Sequence, residues 1–262
     1  MYNLNHSYFY VGRTQMTRLD LSQDITQLFV NAAMEGFTHY TERRKQDAED
    51  LTISRAGTWL KGNYIDDAVA KAISRSEINI QRKFAGYSWK YLQFDYYDKA
   101  MQVMNSVIFK NYKTLKSSVQ KKGNKLPDYL SNDAVGNIKI LDRNKDVIRP
   151  TDETVQLELF PSTVSDNMRV VDIDNHHFYI VGYTLGNDKN ISSLKLIMPN
   201  PKNNALVEVA DWTRFIEDAP VQPNEDDLII LQSDKNIPEE QYDSNSTIEY
   251  QLVEDSEKQN KK

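Results

Sequence analysis

Residues 170–200 read VVDIDNHHFYIVGYTLGNDKNISSLKLIMPN, and they pose a choice between a metal site and a β-hairpin. In a strand, side chains alternate between two faces, so Asp172, Asp174, His176, Phe178 and Ile180 share one face. Ile173, Asn175, His177, Tyr179 and Val181 share the other. The adjacent histidines therefore diverge and cannot both reach one ion without a bulge. Asp172, Asp174 and His176 are on one side, and oxygen and imidazole ligands suit magnesium, manganese or zinc, so a metal-dependent hydrolase is one reading. A hairpin is the simpler one. The polar DNHH leads into the apolar run FYIVGY, GNDKN turns the chain, and ISSLKLIMPN follows with Leu194, Leu196 and Met198 in one buried row.

Working outward, further short strands are expected at NIKIL, VQLELF and MRVVDI before the hairpin, and at EVADWTRF after it. Toward the N-terminus the pattern changes at Gly86. YSWKYLQFD sets Trp89 and Tyr91 opposite Leu92 and Phe94 and is rich in residues suited to a pleated surface. DYYD offers a turn, and KAMQVMNS returns as a strand. SVIFKNYKTLKSSVQKKG fits either element, and its Val107, Ile108, Leu115 and Val119 favour one helix face. KKGNKLPDYLSNDAVGN reads as a loop from its Gly, Pro, Asn and Asp content.

Before Gly86 the spacing is helical. Leu19, Leu21, Ile25, Leu28, Phe29 and Ala32 recur at offsets of three and four, with Asp20 or Ser22 placed to cap the first turn of a helix reaching Tyr40 or beyond. A second helix is expected in SRAGTWLKGNYIDDAVAKAISRS, where Ile65, Ala68, Val69 and Ile73 repeat and Gly57 and Gly62 weaken the beginning. The fold class is therefore α+β, with N-terminal helices followed by a mainly antiparallel sheet. The expected divisions are an arm at 1–18, a helical segment at 19–85, a mainly β segment at 86–216 packed with it as one domain, and an acidic, poorly ordered tail at 217–262.

That tail follows from charge. From Glu217 onward there are 13 acidic and 4 basic residues, a balance of −9, against a whole-chain net charge of −6. Its only strong apolar cluster is Leu228 to Leu231, too little apolar area to offset chain entropy. With no cysteine in 262 residues, disulfides, thiolate nucleophiles, iron–sulfur clusters and thiolate zinc sites are excluded. The absence of a long apolar run and of a signal-like start points to a cytoplasmic protein.

Few residues speak for catalysis. Besides the pair in the hairpin, only His6 and His39 are present. His39, near Glu35, Glu42 and Arg43, reads as a solvent-facing residue before it reads as a base. No HExxH, GxSxG, GxxxxGK[ST] or GxGxxG motif occurs, so no cofactor is expected. A basic stretch holds Lys110, Lys113, Lys116, Lys121, Lys122 and Lys125 with Phe109 and Tyr112 interleaved. With Arg55, Arg75, Arg82 and Lys83 it supports an alternative reading as a nucleic-acid-binding effector or toxin that neutralises phosphates. Fifteen tyrosines, with Tyr87, Trp89, Tyr91, Tyr96 and Tyr97 crowded together, exceed what a small core readily buries. Such a surplus suits a partner surface as well as the rim of a sheet.

The order SRAG, DAVAKAI, WKYLQFD, FKNYKTL, SNDAVGN, QLELF, YIVGYTL and EVADW resembles an uncharacterised bacterial family often encoded beside ImmA/IrrE-type metallopeptidases and helix-turn-helix regulators. The resemblance covers about Leu19 to Phe215. Arg55 stands where such proteins tend to carry an arginine, Asn132 or Asn137 matches an asparagine, and FKNYKTL departs from a more basic strand. The resemblance implies a setting in mobile-element regulation, toxin–antitoxin pairs or phage defence, and a strand at Phe109 to Leu115. The leading expectation is a non-catalytic regulatory or accessory protein that binds a protein partner, with an ImmA/IrrE-type protein as a candidate. Its expected contact residues are Arg55, Trp89, Tyr91, Lys113, Asn132, Tyr183 and Trp212, of which Trp89 and Trp212 also suit the core.

Overall fold

A computed structural model describes residues 19–52, 54–74, 76–86, 89–144 and 175–233. Helix α1 (Gln23–Asp50) carries Phe29, Val30, Ala33, Met34, Phe37 and Tyr40 on its buried side. A 3₁₀ turn (Arg55–Leu60) that contains Gly57 then leads into α2 (Lys61–Ala72), whose first turn includes Gly62. Helices α1 and α2 cross closely at Gly36. A Cβ there would lie 2.5 Å from the Tyr64 carbonyl oxygen and 2.7 Å from Ile65 Cα. Only glycine fits, which explains a poor helix former in mid-helix.

Six strands form one sheet in sequential order: β1 (Asn79–Ala85), β2 (Trp89–Asp98), β3 (Val103–Asn111), β4 (His176–Leu185), β5 (Ile191–Asn200) and β6 (Ala205–Asp211). All neighbours are antiparallel except β3 and β4, which run parallel from Met104↔His176 to Asn111↔Tyr183. The sheet is thus two three-stranded meanders joined by a parallel seam, which needs a long crossover. Helices α3 (Tyr112–Lys121), α4 (Asp128–Asp133) and α5 (Asn137–Arg143) belong to it.

Alternation along the strands makes two cores. One face sends Phe94, Val107, Phe109, Tyr179, Val181, Leu194, Leu196 and Met198 toward α1 and α2. The other sends Tyr91, Ile108, Phe178, Ile180 and Ile197 toward Tyr112, Leu115, Leu130 and Ala134 of α3 and α4. The quoted hairpin is β4–β5, and its expected row of Leu194, Leu196 and Met198 is fully buried.

Six local expectations are corrected, and the first is DYYD, expected as a turn, which lies within β2. NIQRKFA, before Gly86, is strand β1 and not helical. The ambiguous stretch is divided: Val107 and Ile108 lie in β3, Leu115 and Val119 in α3, so the strand implied for Phe109 to Leu115 stops at Asn111. There the Asn111 side chain accepts from Thr114 N at 3.0 Å and caps the helix. The expected loop KKGNKLPDYLSNDAVGN contains α4, and NIKIL is helix α5 rather than a strand. EVADWTRF is strand only to Asp211, with a 3₁₀ turn at Thr213–Ile216. VQLELF and MRVVDI lie outside the described residues.

Within the acidic segment, α6 (Glu225–Ser233) is folded against α1. Leu228 and Leu231 are buried, and Asp227 pairs with Lys45 at 2.8 Å. The apolar cluster noted in the sequence is what docks it. No helix among the described residues is long and apolar enough to cross a membrane.

The ladder is incomplete on either side of the parallel seam. β2 and β3 pair only from Phe94↔Val107 to Asp98↔Val103, and the Leu92 N–H is taken by Asp66 Oδ2 of α2 at 3.1 Å. β4 and β5 pair only from Ile180↔Ile197 onward. Two pairs further in that direction Phe178 faces Pro199, and proline has no N–H to give. Asn137 of α5 fills the place. Its Nδ2 donates to Phe178 O at 2.8 Å and Pro199 O at 3.0 Å, and its Oδ1 accepts from Phe178 N at 2.9 Å.

Candidate functional site

Two features meet at the β1–β3 side of the sheet. The first is an exposed apolar edge. Of eight large exposed hydrophobic residues among those described, five are here: Ile80, Phe84, Trp89, Tyr97 and Met104. The register places Ile80 and Phe84 on the α1 face and Trp89, Tyr97 and Met104 on the other. Strand β1 pairs with β2 alone among the described strands, and its side chains are exposed or half-buried throughout. It also carries Arg82 and Lys83, and charges of this kind keep a sheet edge from sticking indiscriminately.

The second feature is a polar cluster on the α4 face, built from three strands. Register sets Asp95 of β2 opposite Ser106 of β3, while His176 of β4 lies two pairs away on the same face, opposite Met104. Ser106 Oγ lies 2.6 Å from Asp95 Oδ1 and 2.8 Å from His176 Nε2. Gln93 Nε2 donates to Asp95 Oδ1 at 2.8 Å and to Ser106 Oγ at 3.2 Å. Gln93, Asp95 and Ser106 are buried. At the rim, Asp133 of α4 receives Lys83 Nζ at 3.3 Å and the Tyr91 hydroxyl at 3.2 Å. Burial pushes the His176 imidazole below its ordinary value, although Asp95 and Asp133 pull it up, so the ring is neutral near pH 7.

His177 turns to the opposite face, as the alternation requires. It is 3% exposed, its Nδ1 lies 3.2 Å from the Tyr179 hydroxyl, and burial followed by the neighbouring His176 lowers it to about 4. It is a neutral core residue.

The sequence candidates distribute unevenly over this map. Trp89 is on the surface edge, 37% exposed, and not in the core. Tyr91 is buried under α4, its ring 5.4 Å from that of Tyr129. Tyr183 is buried in the core on the α1 face. Trp212 is fully buried, with Nε1 donating to Asp20 Oδ1 at 3.0 Å, so Asp20 anchors an indole and does not cap α1. Asn132 is exposed on α4, whereas Asn137, the other asparagine singled out, is the buried splice between β4 and β5. Arg55 opens the 3₁₀ turn, and its side chain lies outside the described residues, as do Arg75, Asp172 and Asp174. His39 is exposed on α1.

The basic residues do not gather into one stripe. Lys83 pairs with Asp133, and Lys110 sits over the rings of Tyr91 at 4.7 Å and Tyr129 at 5.8 Å. Lys116 covers Tyr112, and Lys113 reaches Leu185 O at 3.3 Å. Lys121 is exposed and Lys122 half-buried at the end of α3, while Arg82 projects from β1 on the α1 face. Of the proposed metal ligands only His176 is described, and it is committed to Ser106. Among the described residues no group of three or more acidic or histidine side chains could hold a metal ion.

Ser106, Gln93 and Asp95 have no sequence signature, since their meeting depends on strand register and on a parallel partner 70 residues away. Comparison with protein-family models, with curated proteins and with solved structures finds no match to the chain.

Proposed function

We propose that the protein is a non-catalytic accessory or regulatory protein that acts by contact, taking an extended segment of a protein partner along strand β1. The reading rests on one observation: the outer side of β1 has no partner among the described strands, and the exposed Ile80 and Phe84 lie on that strand, with the exposed Trp89 facing its last residue. A strand added there gains main-chain hydrogen bonds from β1, and its alternate side chains meet Ile80 and Phe84 on one face and the Trp89 side on the other. Arg82 and Lys83 favour acidic residues in that segment. The sequence resemblance makes an ImmA/IrrE-type protein the first partner to try, and it also suggests the phage-defence, toxin–antitoxin or mobile-element setting.

The test is co-expression of the tagged protein with such a neighbour, followed by capture, using wild type and the double variant Ile80→Glu/Phe84→Glu. Both positions are exposed, so the fold should survive, as a thermal unfolding curve would check. The expected outcome is capture by wild type and loss by the variant. Capture unaffected by the two charges would refute the edge as the contact.

A further inference from the structure

We infer that the Gln93–Asp95–Ser106–His176 cluster is a binding site for a cationic hydrogen-bond donor, an ammonium or guanidinium group. The argument is a count of protons. An oxygen–oxygen approach of 2.6 Å between Ser106 Oγ and Asp95 Oδ1 requires a hydrogen between them, and the hydroxyl supplies it. A serine has one hydrogen. The 2.8 Å contact with His176 therefore runs the other way, from an Nε2–H into the serine oxygen. Nδ1 of the neutral ring is left as an acceptor.

Gln93 is fixed by the same logic. Its Nε2 lies 2.8 Å from a carboxylate oxygen, where the flipped amide would set oxygen against oxygen. Its Oε1 is thus the unbonded end, and this atom is buried with no hydrogen-bond partner in a residue only 4% exposed. A buried acceptor without a donor is destabilising, so the site is poised to gain from a donor. Among the described residues, Gln93 Oε1, His176 Nδ1 and Asp95 Oδ2 all lack a hydrogen bond. The side chains bearing them converge on one serine hydroxyl.

The three open positions share one character: each accepts and none donates. The surrounding charge agrees, with Asp95 and Asp133 set against Lys83 alone. Phosphate, sulfate or a carboxylate would find no donor in the cluster, whereas an ammonium offers three and a guanidinium five. The site adjoins the β1 contact, and Lys83 borders both, but its acceptors are on the α4 face of β2 and β4, whereas Ile80 and Phe84 of the edge are on the opposite face.

The experiment is titration of the intact protein with agmatine, followed by NMR of the histidine ring nitrogens and by calorimetry. Acetyl-arginine-amide and inorganic phosphate serve as parallel probes, and Gln93→Met and His176→Gln as variants. The expected result is saturable binding of a cation that shifts the His176 nitrogens and weakens about tenfold in each variant, as loss of one acceptor implies. Stronger binding of agmatine would identify a free amine as the source, and stronger binding of the amide an arginine side chain. Saturation by phosphate instead, or cation binding that neither variant weakens, would overturn the assignment. So would the absence of any response to about 10 mM cation, a concentration corresponding to negligible affinity.

Discussion

The sheet is spliced twice by helical side chains, and the two splices solve the same problem with different chemistry. Asn137 joins β4 to β5, whereas Asp66 takes the Leu92 N–H of β2 beyond the end of the β2–β3 ladder, on the other side of the parallel seam. The amide offers both a donor and an acceptor, so it reproduces both halves of a missing strand pair and adds a third bond to Pro199. The carboxylate can only accept. It satisfies the Leu92 N–H and brings a charge into a half-buried place, where desolvation raises it from 3.8 to about 6 despite the Leu92 bond and Lys110. One splice is a constant of the fold. The other depends on pH.

Breaking the amide splice has the largest expected effect. Asn137→Ala leaves Phe178 N, Phe178 O and Pro199 O without partners inside the protein, at a cost of about 3–5 kcal/mol. Denaturant unfolding would measure it, and a loss under about 1 kcal/mol would mean the amide is not holding the strands.

The carboxylate splice predicts a dependence with an unusual sign. The folded-state value of Asp66 lies above the unfolded one, so between about pH 4 and pH 6 the native state binds more protons. Its contribution to stability is full below the unfolded value and is lost as pH rises through about 6. Asp66→Asn keeps an acceptor for Leu92 and removes the charge. The variant should therefore match wild type near pH 4 and exceed it by about 3 kcal/mol at pH 8. Equal stability of the two proteins at both pH values would sink the contrast between the splices.

A smaller effect sharpens the origin of the amide splice. If Pro199 is the reason β4 and β5 part, then Pro199→Val in the Asn137→Ala background supplies the missing N–H opposite Phe178. About 1 kcal/mol should return, the net worth of one such bond. In the Asn137 background the same change should give nothing, because Asn137 already occupies that position.

How much of this was legible in the sequence follows from periodicity. The two faces of β2, β4 and β5 could be read directly, because a period of two is unambiguous where one face is packed. The divergence of His176 and His177 came with it. Strand β1 was missed because NIQRKFA lies at an edge, where burial imposes no alternation and charge takes its place. NIKIL was misread because five residues with apolar positions 138, 140 and 141 fit a strand or a helix turn equally well. Asn137 carries no local signal, and the missing proton donor at Pro199 explains the place its amide takes. Neither the serine-centred cluster nor Asp66 had a local signal, since each is assembled across elements whose register the sequence alone does not set.

The smallest effect tests whether Asp66 senses its surroundings as the comparison requires. Lys110 pulls the Asp66 value down, while its ammonium also rests over Tyr91 and Tyr129. Lys110→Met therefore does two things. It loses about 0.5 kcal/mol of cation–π attraction at every pH, and it moves the Asp66 transition upward. Only the second change should vanish when Asp66 is already asparagine. A double-mutant cycle across pH 4–8, read by thermal unfolding, separates them: the coupling should be absent at the acid end, where Asp66 is protonated, and appear as it ionises. Coupling of the same size at both ends would mean that Lys110 and Asp66 are linked by packing, and that charge plays no part in the β2–β3 splice.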